Sequence, residues 1–255
     1  MKINLPSLLF LSVLIFEGCG PDYPASLKIA TAANVQYAMK ALTADFAQRT
    51  GIRTEVIVGS SGKLTAQILQ GAPYDIFISA DMKYPAELFK NDKTLTEPVV
   101  YARGKLVLWT LDQDISLNLD SISSKKIAHL AIANPTTAPY GKAAVATLKY
   151  YAKYELVKPK IVSGESISQT NQFVLSGAAQ LGFTAKSVVL APALKDKGKW
   201  IEIDPLSYDP IQQGMVILKK QNPNAVEAKK FYNYVLSSQG RAILDAFGYE
   251  TDTLK

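Results

Sequence analysis

The chain has 255 residues, 48% of them apolar and 20% charged, enough for one large or two modest domains with ordinary globular cores. Its one cysteine, Cys19, precludes an internal disulfide and any cysteine-built metal site. The net charge of +6 favours anionic partners in general, but the lysines are scattered and their densest groups, Lys195 to Lys199 and Lys219-Lys220, are short and interrupted, which argues against a nucleic-acid-tracking surface.

Residues 1–25 read as an export leader, because Lys2 precedes an apolar run from Leu8 to Phe16 that is too short to span a bilayer as a mature helix. Cys19 stands where lipoprotein precursors carry the thiol that is acylated, although Glu17 occupies a place where a small or apolar residue is expected. Lipidation at Cys19 and ordinary cleavage near Ala25 are both open. From residue 27 onward short β-type runs alternate with helical patterns, the signature of parallel sheets built from crossover units. The expected strands are Leu27 to Thr31, Thr54 to Val58, Asp75 to Ser79, Leu106 to Trp109, Leu130 to Ala133, Lys160 to Val162, Gln180 to Thr184 and Met215 to Leu218. The first helix puts Val35, Ala38, Met39, Leu42 and Phe46 on one face before Gly51 ends it. The last, after Pro223, places Ala225, Ala228, Tyr232 and Val235 on one stripe and stops near Gly240.

The informative positions are the joints between strands and helices. Asn34 opens the first helix after Ala32-Ala33, and Ser60-Ser61-Gly62 precedes the helix of Leu64 and Ile68. Pro139-Tyr140-Gly141 and Ser166-Ile167-Ser168 open two more. In open α/β sheets ligands bind at strand carboxyl ends, where helix starts present free N–H groups suited to an anion. Each start carries roughly half a positive charge, so four together offset on the order of two negative charges without a buried cation. Taken singly, each joint is explained by helix capping, worth about 1 kcal/mol; four in two pairs favour binding.

Catalytic readings fit poorly. Gly59-Ser60-Ser61-Gly62 misses the serine-hydrolase elbow because Lys63 stands where its last glycine belongs, and a P-loop fails at Ile57 and Leu64. The one histidine, His129, adjoins an apolar strand and is expected to be structural or at the surface. An organic carboxylate calls for an arginine clamp, and Arg49, Arg53 and Arg103 lie away from the joints in sequence. Phosphate keeps a proton that needs an acceptor, which a pocket of donors lacks; an unmatched buried group costs about 1 to 3 kcal/mol. Sulfate passes that test.

Across about residues 27 to 250 the sequence resembles periplasmic molybdate-binding proteins. The resemblance is carried by GAPYDIFISAD at Gly71 to Asp81, ATAAN at Ala30 to Asn34, GSSGKL at Gly59 to Leu64, NPTTAPYGKAA at Asn134 to Ala144 and AAQLGFTAKS at Ala178 to Ser187. It implies an α/β chain with the two-lobed type II periplasmic-binding-protein fold, each lobe a mostly parallel sheet flanked by helices. On that architecture residues 26–103 and 212–255 form one lobe and 104–211 the other. The resemblance further implies a periplasmic protein, acting as a monomer, that holds molybdate or tungstate and hands it to the permease of an ABC importer, with no cofactor and no metal beyond the oxyanion itself. The anion is then held by main-chain N–H groups and hydroxyls at Asn34, Ser61, Tyr140 and Ile167, with Ala33 and Ser60 flanking the first two. Many relatives have serine at Asn34 and a pocket tyrosine at Ala185, so Ala185 marks a place where a donor is missing.

Overall fold

The structure is a computed structural model that describes residues 26–219 and 224–251; the leader with Cys19, and Pro223, lie outside that range. In chain order the strands are β1 (Leu27–Ala32), β2 (Thr54–Gly59), β3 (Ile76–Ile78), β4 (Val99–Gly104), β5 (Leu106–Thr110), β6 (Leu130–Ala133), β7 (Ile161–Gly164), β8 (Leu181–Ala185), β9 (Lys199–Glu202) and β10 (Ile211–Ile217). The longer helices are α1 (Gln36–Thr50), α2 (Ser61–Leu69), α3 (Lys83–Lys90), α4 (Pro139–Tyr150), and, after the short α5 (Tyr154–Val157), α6 (Ile167–Leu175). The one-turn α7 (Lys186–Val189) precedes α8 (Ala225–Leu236) and α9 (Ser238–Ala246).

Two five-stranded sheets result, ordered β2-β1-β3-β10-β4 and β7-β6-β8-β5-β9. In the first, β1 pairs in parallel with β2 and β3, while β10 runs antiparallel to both β3 and β4. The second repeats the plan, with β6 parallel to β7 and β8 and with β5 antiparallel to β8 and β9. Each sheet thus has one reversed strand among neighbours that share a direction, and each, with its helices, is one lobe of a two-lobed α/β fold. The chain passes from β4 to β5 through Lys105 and returns to β10 through residues 203–210.

Helix α1 forms as its apolar spacing dictates. Val35, Ala38, Met39, Leu42 and Phe46 are buried against the first sheet, and Gly51 closes the helix in the left-handed region at φ 71°. Phe46 meets Phe231 of α8 edge to face, with ring centroids 5.0 Å apart, a geometry worth about 0.5–1.5 kcal/mol beyond the area it buries. Leu64 and Ile68 of α2 and Leu88 of α3 cover the opposite face. In the second lobe α4 packs Ala144 and Leu148 on Leu106, Leu130 and Phe183, while Val174 of α6 joins Trp109 on the other side. Ala32, Ala33 and Ala80 of the first lobe belong to the same apolar cluster as Ala138, Tyr140 and Ile167 of the second, so the lobes touch through a dry seam.

Three elements differ from the sequence reading. Strands β4 and β9 were not expected, and both lie at sheet edges. The last helix is two: Ser237 adopts an extended backbone and caps α9 by accepting the Gly240 N–H at 3.2 Å, so Gly240 lies inside a helix rather than ending one. On α8 the buried stripe is Ala228, Phe231 and Val235; Tyr232 is only half-buried and Ala225 is exposed.

Candidate anion-binding site between the lobes

Four helix starts meet at the seam. A small cavity is lined from the first lobe by Ala32, Ala33, Asn34, Ser60, Ser61 and Ala80, and from the second by Ala138, Pro139, Tyr140 and Ile167. Each start follows a strand carboxyl end: β1 leads into the 3-10 turn Ala33–Val35 and α1, β2 into α2, β6 into α4 and β7 into α6. This is where open α/β sheets place their ligands.

Capping chemistry separates one start from the rest. At α2 the Ser60 hydroxyl accepts the Lys63 N–H at 3.4 Å, so Ser60 is a helix cap. At the other three, the cap residues Ala32, Ala138 and Ser166 make no side-chain cap bond. Ser61 and Ile167 are first residues of their helices, and Tyr140 follows Pro139, which has no N–H, so none of these N–H groups has an intrahelical acceptor. All are buried: Asn34 is 1% exposed, Ser61 1%, Tyr140 2% and Ile167 3%. Buried helix starts without caps call for an acceptor from elsewhere.

The side chains refine this assignment. Ser61 Oγ accepts the Ala80 N–H at 3.0 Å, which leaves its hydroxyl proton free to donate. The Asn34 amide is engaged away from the cavity: Nδ2 donates to Gln213 Oε1 at 2.8 Å and to the Tyr249 hydroxyl at 3.0 Å. The Tyr140 phenol likewise accepts from Gln213 Nε2 at 3.2 Å, so its side chain is engaged behind the cavity that the residue lines. Burial holds the Tyr140 and Tyr101 phenols well above their ordinary pKa and pushes Tyr249 up to about 12, so all three are neutral. Ala185 is fully buried at the end of β8, where it pairs with Leu106 and is not among the cavity-lining residues. Gln213, Tyr249 and Ser187, the buried partners of Asn34, were not picked out from the sequence.

No Lys, Arg, Asp or Glu is among the residues lining this cavity. A larger cleft adjoins it through Ala80 and Pro139 and carries Asp81, Lys142 and Asp209. Two carboxylates against one ammonium make that cleft the poorer place for an anion, and burial raises the Asp81 pKa above its ordinary value. The lobes are clasped around the inner cavity. Gly62 N–H donates to Thr137 O at 2.9 Å, Tyr84 Oη to Thr136 O at 3.0 Å and Ser168 Oγ to Gln36 Oε1 at 3.0 Å, and Lys63 pairs with Glu165 at 2.6 Å. At the crossing itself Lys105 bridges Glu202 at 3.0 Å and Glu250 at 2.8 Å. The catalytic alternatives find no partner set here: His129 is exposed at the edge of β6, and among the described residues no cluster of His, Cys, Asp and Glu could hold a metal ion.

Two lobes meeting on a buried set of helix starts, with no charged side chain in the lining, form a site suited to holding an anion. The chain belongs to the bacterial extracellular solute-binding protein family, which it matches over residues 27–250. It is similar to the molybdate-binding protein ModA of Azotobacter vinelandii, with 36% identity over 227 residues that cover 88% of this chain and 90% of the relative. ModA of Rhodobacter capsulatus is 34% identical over 224 residues, covering 88% and 87%. The solved structure of the Azotobacter vinelandii periplasmic molybdate-binding protein superposes with a TM-score of 0.83 at 34% identity, covering 88% of this chain and 98% of that one.

Proposed function

We propose that this protein captures molybdate or tungstate between its lobes and delivers it to the permease of an ABC importer. The observation that carries the reading is the set of uncapped, buried N–H groups at Asn34, Tyr140 and Ile167, joined by the N–H and hydroxyl of Ser61, around one cavity without charged side chains. Roughly half a positive charge at each helix start neutralises a dianion. Dehydration in the closed seam strengthens every one of those hydrogen bonds. The names of the relatives favour molybdate over sulfate, which the donor set alone would also accept.

The lobes in this reading divide near Gly104 and Ile211, which pair with each other at the end of the first sheet, with about residues 26–103 and 212–255 on one side and the segment between, about 104–211, on the other. The protein works as a periplasmic monomer, tethered through Cys19 if that thiol is acylated and free if the leader is cut near Ala25. Its cycle is capture, closure, docking and release, with no bond made or broken in the solute.

A thermal-shift panel tests the proposal. Molybdate and tungstate at a hundredfold excess over Kd stabilise the protein by about 2.7 kcal/mol through ligand linkage, and phosphate leaves the melting temperature unchanged. Equal shifts with phosphate and molybdate would refute a pocket made only of donors.

A further inference from the structure

Behind the cavity, and not among its lining residues, lies Gln213 on β10, with no exposed surface. Its single amide holds one anion-facing residue from each lobe. Oε1 accepts from Asn34 Nδ2 at 2.8 Å and from the Tyr101 hydroxyl at 2.9 Å, while Nε2 donates to Tyr140 Oη at 3.2 Å. The amide is planar and the tyrosine ring rigid, so these bonds fix how far the Tyr140 N–H stands from the Asn34 main chain across the seam.

The surroundings are shaped for this contact. The β10–β4 register breaks between Gln213 and Gly214, with Tyr101 the extra residue on β4, so the bulge sits beside Gln213 and at the tyrosine whose hydroxyl donates to it. Gly104, the last residue of β4 before the crossing, leaves room for it: a Cβ there would collide with both Tyr140 Oη and Gln213 Nε2. Ser187 of α7 and Tyr249 complete the network by donating to the Asn34 carbonyl at 2.8 and 3.0 Å. Every member is uncharged at neutral pH, so nothing behind the helix starts competes with the anion for their dipoles.

We infer that Gln213 is a positioning residue for the oxyanion, acting through Tyr140 and Asn34 to hold the two lobes at the spacing that retains it. The inference rests on the oxyanion reading above. It assigns to Gln213 the closed state and not the encounter, since either lobe presents its own helix starts without it.

Three variants test this in the full-length protein: Gln213→Met, which keeps the length but not the amide, Tyr140→Phe, which removes the hydroxyl that Gln213 and Asn34 meet across the seam, and the two combined. Molybdate association and dissociation are read separately, the latter by chasing bound radiolabelled molybdate with unlabelled anion. Each single variant is expected to release molybdate about tenfold faster, near the upper range for one neutral hydrogen bond, with an unchanged association rate. The double variant is expected to be no faster than the faster single one by more than about twofold, as for residues sharing one interaction. Wild-type dissociation in Tyr140→Phe, or fully multiplied effects in the double variant, overturns the inference. Should Gln213→Met not fold, Tyr140→Phe decides alone. A wild-type protein that binds no molybdate removes the oxyanion reading and this one with it, an outcome distinct from normal binding with unaltered variants.

Discussion

The lobes meet in two places built from opposite materials. Around the cavity, apart from the exposed Lys63–Glu165 pair at its rim, the contacts are main-chain N–H groups, hydroxyls, an amide and neutral phenols, nearly all of them buried. At the chain crossing they are full charges, with Lys105 between Glu202 of the second lobe and Glu250 of the first, both glutamates about a third exposed or more. The difference follows from solvation. A buried ion must be matched by a partner or it costs several kcal/mol, so a site that is to be emptied and refilled is better made of dipoles. Water at the crossing keeps charges soluble in either position of the lobes, at the expense of making each pair weak.

The most severe way to break that contrast is to put a charge into the dipole site. Ala138 is the uncapped N-cap of α4 with an extended backbone, and it lines the cavity. Ala138→Asp supplies an internal carboxylate to the α4 start, which caps the helix and repels a dianion. Loss of even two charge-assisted hydrogen bonds, about 3 to 6 kcal/mol, weakens molybdate by roughly a hundredfold or more in calorimetry. The ligand-free melting temperature is expected to hold or rise, because an Asp cap is better than Ala; a fall would point to a strained backbone instead.

A milder break is Ser61→Ala, which removes one donor and leaves the Ala80 N–H without its acceptor. Molybdate affinity is expected to fall by about 1.5 to 3 kcal/mol, the range for a hydrogen bond to a charged partner. Unchanged calorimetric affinity would take the Ser61 hydroxyl out of the site.

The smallest effect is expected at the crossing. Lys105→Met should change stability by about 1 kcal/mol or less, given the solvent that screens these pairs. Hydrogen bonds that the Lys105 ammonium donates to Glu250 and then to Glu202 raise its pKa above the ordinary 10.5, so its contribution is complete below that value and fades only as alkali passes the raised one. Melting curves over roughly pH 6 to 9 should therefore show a constant offset between variant and parent. An offset that grows with acid in that range would trace to another group.

Much of the fold could be read from residues because its inner strands are short apolar runs. Leu130 to Ala133 and Leu106 to Thr110 are buried throughout, and their pattern admits little else. The strands that escaped notice are edges. Lys199–Glu202 is half-buried and ends in charge, and Val99–Gly104 carries Arg103, so neither has the apolar signature of an interior strand. The site residues were visible for a related reason: helix starts have their own chemistry, and Asn34, Ser61, Tyr140 and Ile167 stand at four of them. What sequence could not show was the direction of the Asn34 amide or the presence of Gln213 behind it, contacts that span 179 and 73 positions in the chain. A polar residue between Ile211 and Met215 at alternating strand positions, all three facing the interior, was the one local hint.

The strand order also sets a timetable. The second sheet draws only on residues 106 to 202, so a nascent chain can finish it early. In the first sheet β10 is wedged between β3 and β4, and β4 has no other neighbour in that sheet, so that half stays incomplete until Ile217 has left the synthetic machinery. A ribosome thus releases nearly the whole polypeptide before the gap between the halves can exist, and a message truncated ahead of Ile211 yields one finished half and no receptor.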